Sequence, residues 1–297
     1  MRLKDKFLIQ TYNVGILKKS VDIVLEEGIK SKDIVWLTHP YKDRFFADPF
    51  VIDEDENYLY ILAEEYCFWE EKGKIVLLTV NKDNFSLVAR KLIIEEKTHL
   101  SFPFCELGGD FIIPESVISG KTKRYIYDRE KKAIAKSEKI LDEGLIDATF
   151  YKDKTGMEWI LTSKIKNPKE DLYIYKKMGS NYICQNNGKP VLSDIRLARS
   201  AGRMFEHNGR VFRPVQDSTG RYGRQTIIVE LQEFEDDSYC AKEVVTINSF
   251  DNPPYDETLH TFNVYENYII VDGSKDILRF PTKILYKKCR FLFKNRR

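Results

Sequence analysis

Along most of the chain, apolar and polar residues alternate one by one in short runs separated by Gly-, Asn- or Asp-containing turns. This is the pattern of half-buried strands joined as hairpins. One unit recurs: a short run ending in Phe, an alternating stretch, a polar turn and a second alternating strand. It reads FADPFVIDEDENYLYILAEEY (46–66), SFPFCELGGDFIIPES (101–116), IDATFYKDKTGMEWILTSK (146–164), AGRMFEHNGRVFRPVQD (201–217) and HTFNVYENYIIVDG (260–273). The anchoring aromatics Phe50, Phe104, Phe150, Phe205 and Phe262 are separated by 54, 46, 55 and 57 residues, a mean of 53. Four-stranded propeller blades recur at a comparable period, and five such units nearly fill the 297 residues. Further strand-like segments follow the first four hairpins and complete the blades as outer strands: KIVLLTVNKD (74–83), RYIYDRE (124–130), DLYIYKKM (171–178) and QTIIVELQEF (225–234).

The spacing therefore predicts an all-β, five-bladed β-propeller. Its blades fall near 46–100, 101–145, 146–198, 199–258 and 259–279, the last closing with an N-terminal strand. A β-sandwich would share the alternation but does not require one hairpin five times over. The segment SVDIVLEEGI (20–29) predicts one short N-terminal helix before the first blade, and a basic C-terminal tail occupies 280–297. No Pro/Gly/Ser-rich linker divides the chain, so one domain is expected.

Composition sharpens this picture. The 17 Tyr, 18 Phe and 3 Trp make 13% of the chain, which favours strands and surfaces that stack on sugars. With 48 basic against 46 acidic residues, bulk charge announces no nucleic-acid partner. Five cysteines at wide spacing (Cys67, Cys105, Cys184, Cys240 and Cys289) form neither a disulfide framework nor a metal knuckle, and fit a reducing compartment. The N-terminal residues lack the apolar stretch of a signal peptide, and no apolar run approaches the ~18 residues of a membrane span. The expected address is cytoplasmic.

Inner strands of a propeller converge on its axis, so sites are assembled from several blades. Asp48 in FADPF, stiffened by Pro49, and Asp147 in GLIDATF stand two and three residues before their Phe. Two carboxylates facing each other across an axial pocket suit glycoside chemistry, one as base or nucleophile and others as acid or pKa tuner. Capping of strands or turns is the alternative for each. No His/Cys/Asp spacing resembles a zinc site, and DEDEN (53–57) lacks the pattern of a calcium loop and reads as a hairpin turn. There is no dinucleotide fingerprint, P-loop or nucleophile elbow. No cofactor is expected, though an axial calcium ion stays open.

Two resemblances add to this. FADPF with its DEDEN turn, and IDATFYKDKTG, are similar to the first- and third-blade motifs of five-bladed furanosidase- and xylosidase-type glycoside hydrolases. That likeness implies Asp48 as general base and Asp147 as modulator of the acid's pKa. A second set of stretches resembles the N-terminal propeller domain of the glucosamine inositolphosphorylceramide transferase family and its bacterial relatives. It comprises NVGI (13–16), FADPF, LAEEY (62–66), HLSFPF (99–104), IPES (113–116), DATF (147–150), SDIRLARSAGRMF (193–205), FRPVQD (212–217), RYG (221–223) and HTFN (260–263). SDIRLARSAGRMF with FRPVQD is the specific part. One departure matters: where the hydrolases open their fourth inner strand with an acidic Glu, this chain has Arg199-Ser200-Ala201-Gly202-Arg203.

Glu115 of IPES is then the candidate acid, with Glu64 and Glu65 as the corresponding first-blade pair; an ion pair between Glu115 and Arg199 or Arg203 is the alternative. Arg199, Arg203 and Arg213, near Arg196, carry planar forks suited to carboxylate or phosphate, or else form a buried ion-pair network with these acids. His99 and His260, each just before an inner strand, and Gln216 and Asp217 of FRPVQD are further candidate substrate contacts. The tail FPTKILYKKCRFLFKNRR interleaves basic and apolar residues, as peripheral membrane segments do, or packs as a terminal helix on the propeller edge. The expected function is a carbohydrate-active propeller, hydrolase- or transferase-like, acting on a glycosidic or sugar-derivative bond in polysaccharide or glycolipid assembly. Its substrate would be a sugar, a sugar nucleotide or a glycolipid. In the transferases the resemblance places sugar transfer in a separate C-terminal domain. A non-catalytic module that presents substrate to a separate transferase is therefore the alternative, and a protein-interaction scaffold the third.

Overall fold

The alternating runs become antiparallel strands in the computed structural model, which describes residues 8–248 and 254–278. Ahead of the first blade come β1 (Leu8–Lys18), α1 (Val21–Glu27) and β2 (Val35–Trp36). Blade 1 is β3 (Arg44–Glu54), β4 (Tyr58–Cys67), β5 (Lys72–Asn81) and β6 (Leu87–Ile94). Blade 2 is β7 (Ser101–Cys105), β8 (Phe111–Glu115), β9 (Thr122–Asp128) and β10 (Ala133–Leu141). Blade 3 is β11 (Ile146–Lys152), β12 (Glu158–Ser163), β13 (Asp171–Met178) and β14 (Asn181–Cys184), with the short β15 (Leu192–Ser193) beside β13. Blade 4 is β16 (Phe205–His207), β17 (Arg210–Asp217), β18 (Gln225–Phe234) and β19 (Tyr239–Ile247), and the last hairpin is β20 (Phe262–Tyr265) with β21 (Tyr268–Leu278).

The fifth sheet runs β2-β1-β21-β20, so the two ends of the described chain share one blade. Its register is unbroken, with Ile9 opposite Ile277 and Lys18 opposite Tyr268. This pairing closes the ring and leaves the last hairpin no free edge on that side. Helix α1 lies outside the ring and buries Val24, ending at Gly28, whose φ of 72° suits glycine. No helix among the described residues is long and apolar enough to cross a membrane. Cys67, Cys105, Cys184 and Cys240 are unbridged, and the basic tail at 280–297 lies outside the described residues.

Between blades the core is aromatic. Phe50 meets Phe102 and Phe104 with ring centroids 5.0 and 6.0 Å apart, both edge-on, and all three rings are fully buried. The repeat differs from the expected phase in blade 3. Inner strands β3, β7 and β11 carry the same two-residue bulge, between Ala47 and Phe50, Ser101 and Phe104, and Ile146 and Thr149. Each bulge begins with a left-handed residue: Asp48 (φ 50°), Phe102 (φ 41°) and Asp147 (φ 44°). Thr149, not Phe150, therefore stands where Phe50 and Phe104 stand. A one-residue slip turns a side chain to the other face of its strand. Thr149 uses that place to donate its hydroxyl to the Gly202 carbonyl of blade 4 at 3.2 Å.

Gly202 is needed where blade 4 enters the ring: a Cβ there would lie 2.1 Å from the Phe262 carbonyl oxygen. Beside it, Asn263 ties three blades together. Its Oδ1 accepts the Arg203 N–H at 2.8 Å and its Nδ2 donates to the Pro49 carbonyl at 2.8 Å, all out of contact with water. Asn263→Ala orphans a buried N–H and a buried C=O, at roughly 1–3 kcal/mol each. We expect its melting temperature to fall by about 5 °C or more in differential scanning calorimetry; a melting curve superimposable on the wild type would show that closure does not depend on this amide.

Candidate functional site

The bulges aim polar groups at the axis because their first residue leaves the ladder. Asp48 is buried there. Its Oδ2 accepts the Phe102 N–H at 3.0 Å, and its Oδ1 accepts the Thr261 hydroxyl at 2.9 Å and lies 3.4 Å from His260 Nε2. Asp48's own N–H donates to Asp272 Oδ2 at 3.0 Å. Asp272, wholly buried on β21, accepts through Oδ1 the N–H groups of His260 (3.2 Å) and Thr261 (2.9 Å) and the His260 Nδ1–H (2.8 Å). Burial opposes a charge on this imidazole, but Asp272 first and then Asp48 outweigh it and push its pKa up to about 9. His260 is thus an imidazolium at neutral pH, with both ring nitrogens donating. Burial raises Asp48 to about 6; His260 pulls it back, while Asp272 and Asp147 add to the rise.

These three side chains bring ligand atoms within 4.8 Å of one another, close enough for a metal ion. Their oxygens, however, are already engaged by backbone N–H groups, the Thr261 hydroxyl and the imidazolium.

Asp147 anchors the other half of the cluster. Its Oδ2 accepts Arg199 Nε at 2.6 Å and Gln216 Nε2 at 3.0 Å, and its N–H donates to Glu115 Oε2 at 3.2 Å. The guanidinium of Arg199 lies 4.0 Å from Glu115 at Nη2, donates to the Pro168 carbonyl at 3.1 Å and covers the Tyr222 ring at 5.0 Å. Burial, then the Asp147 charge, raises Glu115 well above the ordinary carboxylate range, with Arg199 opposing. Glu64 is raised likewise by burial and then by Asp48. It faces His99, whose Nε2 is 3.3 Å from Glu64 Oε1 while Nδ1 accepts the Gly73 N–H at 2.9 Å. Burial lowers the His99 pKa, so its ring is neutral with the proton on Nε2. Position 73 must be glycine, since a Cβ would lie 2.3 Å from the Leu100 carbonyl and 2.6 Å from Glu64 Oε1. His99, about a third exposed, and the half-buried Tyr222 are the more open members of the cluster.

Of the expected site residues, the fold gathers Asp48, Glu64, His99, Glu115, Asp147, Arg199, Gln216 and His260. Three lie elsewhere, which corrects the expected arginine clamp. Arg203 donates from Nε to the Cys105 carbonyl at 2.7 Å and from Nη2 to the Val51 carbonyl at 2.9 Å, with its fork over Phe50. The Arg213 fork, fully buried, donates to the Leu197 and Ala198 carbonyls at 3.0 and 2.5 Å. Both forks are spent on backbone carbonyls, so Arg199 alone of the three reaches the acids. Asp217 accepts Thr219 N–H and Gln225 Nε2 and shapes the turn after β17. Glu65 points to the opposite face from Glu64, as strand neighbours do, and is held by Arg44 (3.1 Å) and Arg90 (2.5 Å). Asp272, Thr261, Tyr12 and Tyr222 were not singled out by sequence. Tyr222 lies in the RYG stretch, where Gly223 (φ 58°) lets the chain pass His260: a Cβ there would be 2.5 Å from His260 Cβ.

Comparison with known proteins bears on the whole arrangement. Residues 35–255 match the family model described as glucosamine inositolphosphorylceramide transferase 1, N-terminal. The chain is 24% identical over 214 residues to glucosamine inositolphosphorylceramide transferase 1 of Oryza sativa subsp. japonica, covering 69% of this chain and 28% of the rice protein. It is 25% identical over 211 residues to the protein of the same name from Arabidopsis thaliana, covering 67% and 27%. The chain thus spans under a third of the length of these curated relatives. Among solved structures, the exo-beta-1,3-galactanase of Phanerochaete chrysosporium, crystallised with galactose, aligns over 71% of this chain and 53% of its own, at 9% identity and a TM-score of 0.49. Since the matched segment takes in blades 1 to 4 entire, this chain belongs to the family defined by the N-terminal region of glucosamine inositolphosphorylceramide transferase 1.

Proposed function

We propose that the axial cluster handles a sugar and acts on a glycosidic or sugar-derivative bond, with Asp48 as general base and Glu115 as general acid. The observation that carries this reading is the split in proton affinity. Burial and then the Asp147 charge raise the proton affinity of Glu115 well above the ordinary carboxylate range, while Asp48 is raised only to about 6 and is paired with the His260 imidazolium. Carboxylates pushed apart in this way are how one site holds an acid and a base together. Glu115 would protonate the leaving oxygen and Asp48 would take the proton of the attacking water or hydroxyl. Asp147, tethered by Arg199 and Gln216, maintains Glu115's proton by its charge. Membership of a family named for a sugar-lipid transferase supports a carbohydrate or glycolipid partner. Unbridged Cys67, Cys105 and Cys184 are consistent with a cytoplasmic setting.

A second reading has its own support. Both oxygens of Asp48 are already hydrogen-bonded, and the relatives are more than three times as long as the matched segment. Both facts suit a module that binds a glycan and leaves the chemistry to another domain.

Isosteric amides separate the two, because Asp48→Asn and Glu115→Gln each retain an acceptor oxygen for the N–H they hold. With a panel of aryl glycosides and sugar nucleotides, each substitution is expected to lower turnover by roughly 10²- to 10⁴-fold with sugar affinity changed only a few-fold. No turnover by the wild type together with weakened sugar binding in the variants would instead establish the module. Unchanged turnover and unchanged binding would remove the axial cluster from consideration. The pH dependence has a definite sign: kcat/KM rises as Asp48 loses its proton through about pH 6 and falls on the alkaline side as Glu115 loses its own.

A further inference from the structure

A cavity of about 320 Å³ opens at the seam between blade 5 and blade 1. Its walls are aromatic: Tyr12, Tyr41, Phe68 and Tyr255. Its other side chains are cationic or neutral, and no carboxylate lines it among the described residues. Arg44, at one side, is already matched by Asp43 and Glu65. Lys42 and Lys275, by contrast, form no ion pair among the described residues, and Lys275 rests over the Tyr255 ring at 4.7 Å. Between these lysines stands His39, whose Nδ1 is shut off from water without a hydrogen-bond partner. Burial first, then the charges of Lys42 and Lys275, lowers its pKa. Such a buried polar atom is an exception that calls for a partner.

We propose that this cavity is a binding site for a phosphate ester carried on a ring, with Lys42 and Lys275 taking the phosphate and the aromatic walls taking the ring. Two ammonium groups that form no ion pair among the described residues supply the charge that a phosphate answers. Four aromatic walls supply a stacking surface for a sugar or base, and the volume is that of a small-molecule site. The site stands apart from the axial chemistry but touches it. Tyr12, one of its walls, meets the His260 ring of the Asp48 cluster at a tilt of 43° with centroids 4.9 Å apart.

The site is independent of the proposed catalysis, and its test is chosen accordingly. Binding of glucose 6-phosphate, uridine monophosphate, inorganic phosphate and glucose to the intact chain is measured by isothermal titration calorimetry. The expected result is that at least one ester binds 10-fold or more tighter than inorganic phosphate, and that the double variant Lys42→Ala/Lys275→Ala weakens it at least 10-fold. Which ester binds tighter identifies whether the ring is a sugar or a nucleoside. Both lysines are at least partly exposed, so the variant should fold, and an unchanged melting curve checks this. Asp48→Asn is expected to leave ester binding within 2-fold, which keeps the result separate from any failure of the axial reading. Ester binding no tighter than inorganic phosphate, or binding that ignores the lysines, would overturn the site.

Discussion

A backbone amide that leaves its ladder inside a protein has to find another acceptor, and four such amides organise this propeller. The inner-strand bulges free the N–H groups of Asp48, Phe102 and Asp147, and the irregular entry to blade 4 frees that of Arg203. Their partners are side chains of other blades: Asp272, Asp48, Glu115 and Asn263, in that order. Blade 5 thus grips blades 1 and 4, blade 1 grips blade 2, and blade 2 grips blade 3. The ring is held at its axis by polar staples as well as by the aromatic seams between sheets.

The same staples create the electrostatics. Acceptors for buried amides are most strongly bound when they are carboxylates, but carboxylates brought together away from water cannot all ionise. Among the described residues, Asp48, Glu64, Glu115, Asp147 and Asp272 share the axis with two cationic partners, Arg199 and His260. The imidazole answers by taking a proton that burial alone would deny it, and the proton affinities of Glu64 and Glu115 rise well above the ordinary carboxylate range. A site with acids and bases of unequal proton affinity therefore follows from how the ring is tied, and its groups are fixed before any ligand arrives, as electrostatic preorganisation requires.

What could be read in advance follows the range of the interactions. Alternation is local, so five hairpins, their outer strands and the short helix were legible, and Asp48 and Asp147 stood out because each opens an inner strand. The phase of blade 3 was not, because a bulge is defined by the partner strand: Phe150 continues the Phe spacing while Thr149 holds the equivalent place. Residue type announced a charge at Arg203 and Arg213 but not what each faces, and both face carbonyls. Asp272 and Tyr12 went unnoticed for a related reason. They gain meaning only from the pairing of β1 with β21, which joins residues from opposite ends of the described chain.

That pairing links closure to chemistry. Blade 5 supplies His260, Thr261 and Asp272 from one end of the sequence and Tyr12 from the other, so the Asp48 half of the cluster exists only once the ring has closed. Until β1 docks, nothing places the Tyr12 ring against His260, and water can reach the imidazole and its two carboxylates. Their mutual attraction is then screened by a high dielectric, and His260 reverts toward an ordinary histidine. Such long-range contacts form late because loop-closure entropy must be met first. The axial charges therefore acquire their unusual proton affinities as the last blade is completed, so the integrity of the N-terminal strand and the competence of the site are one property of the fold.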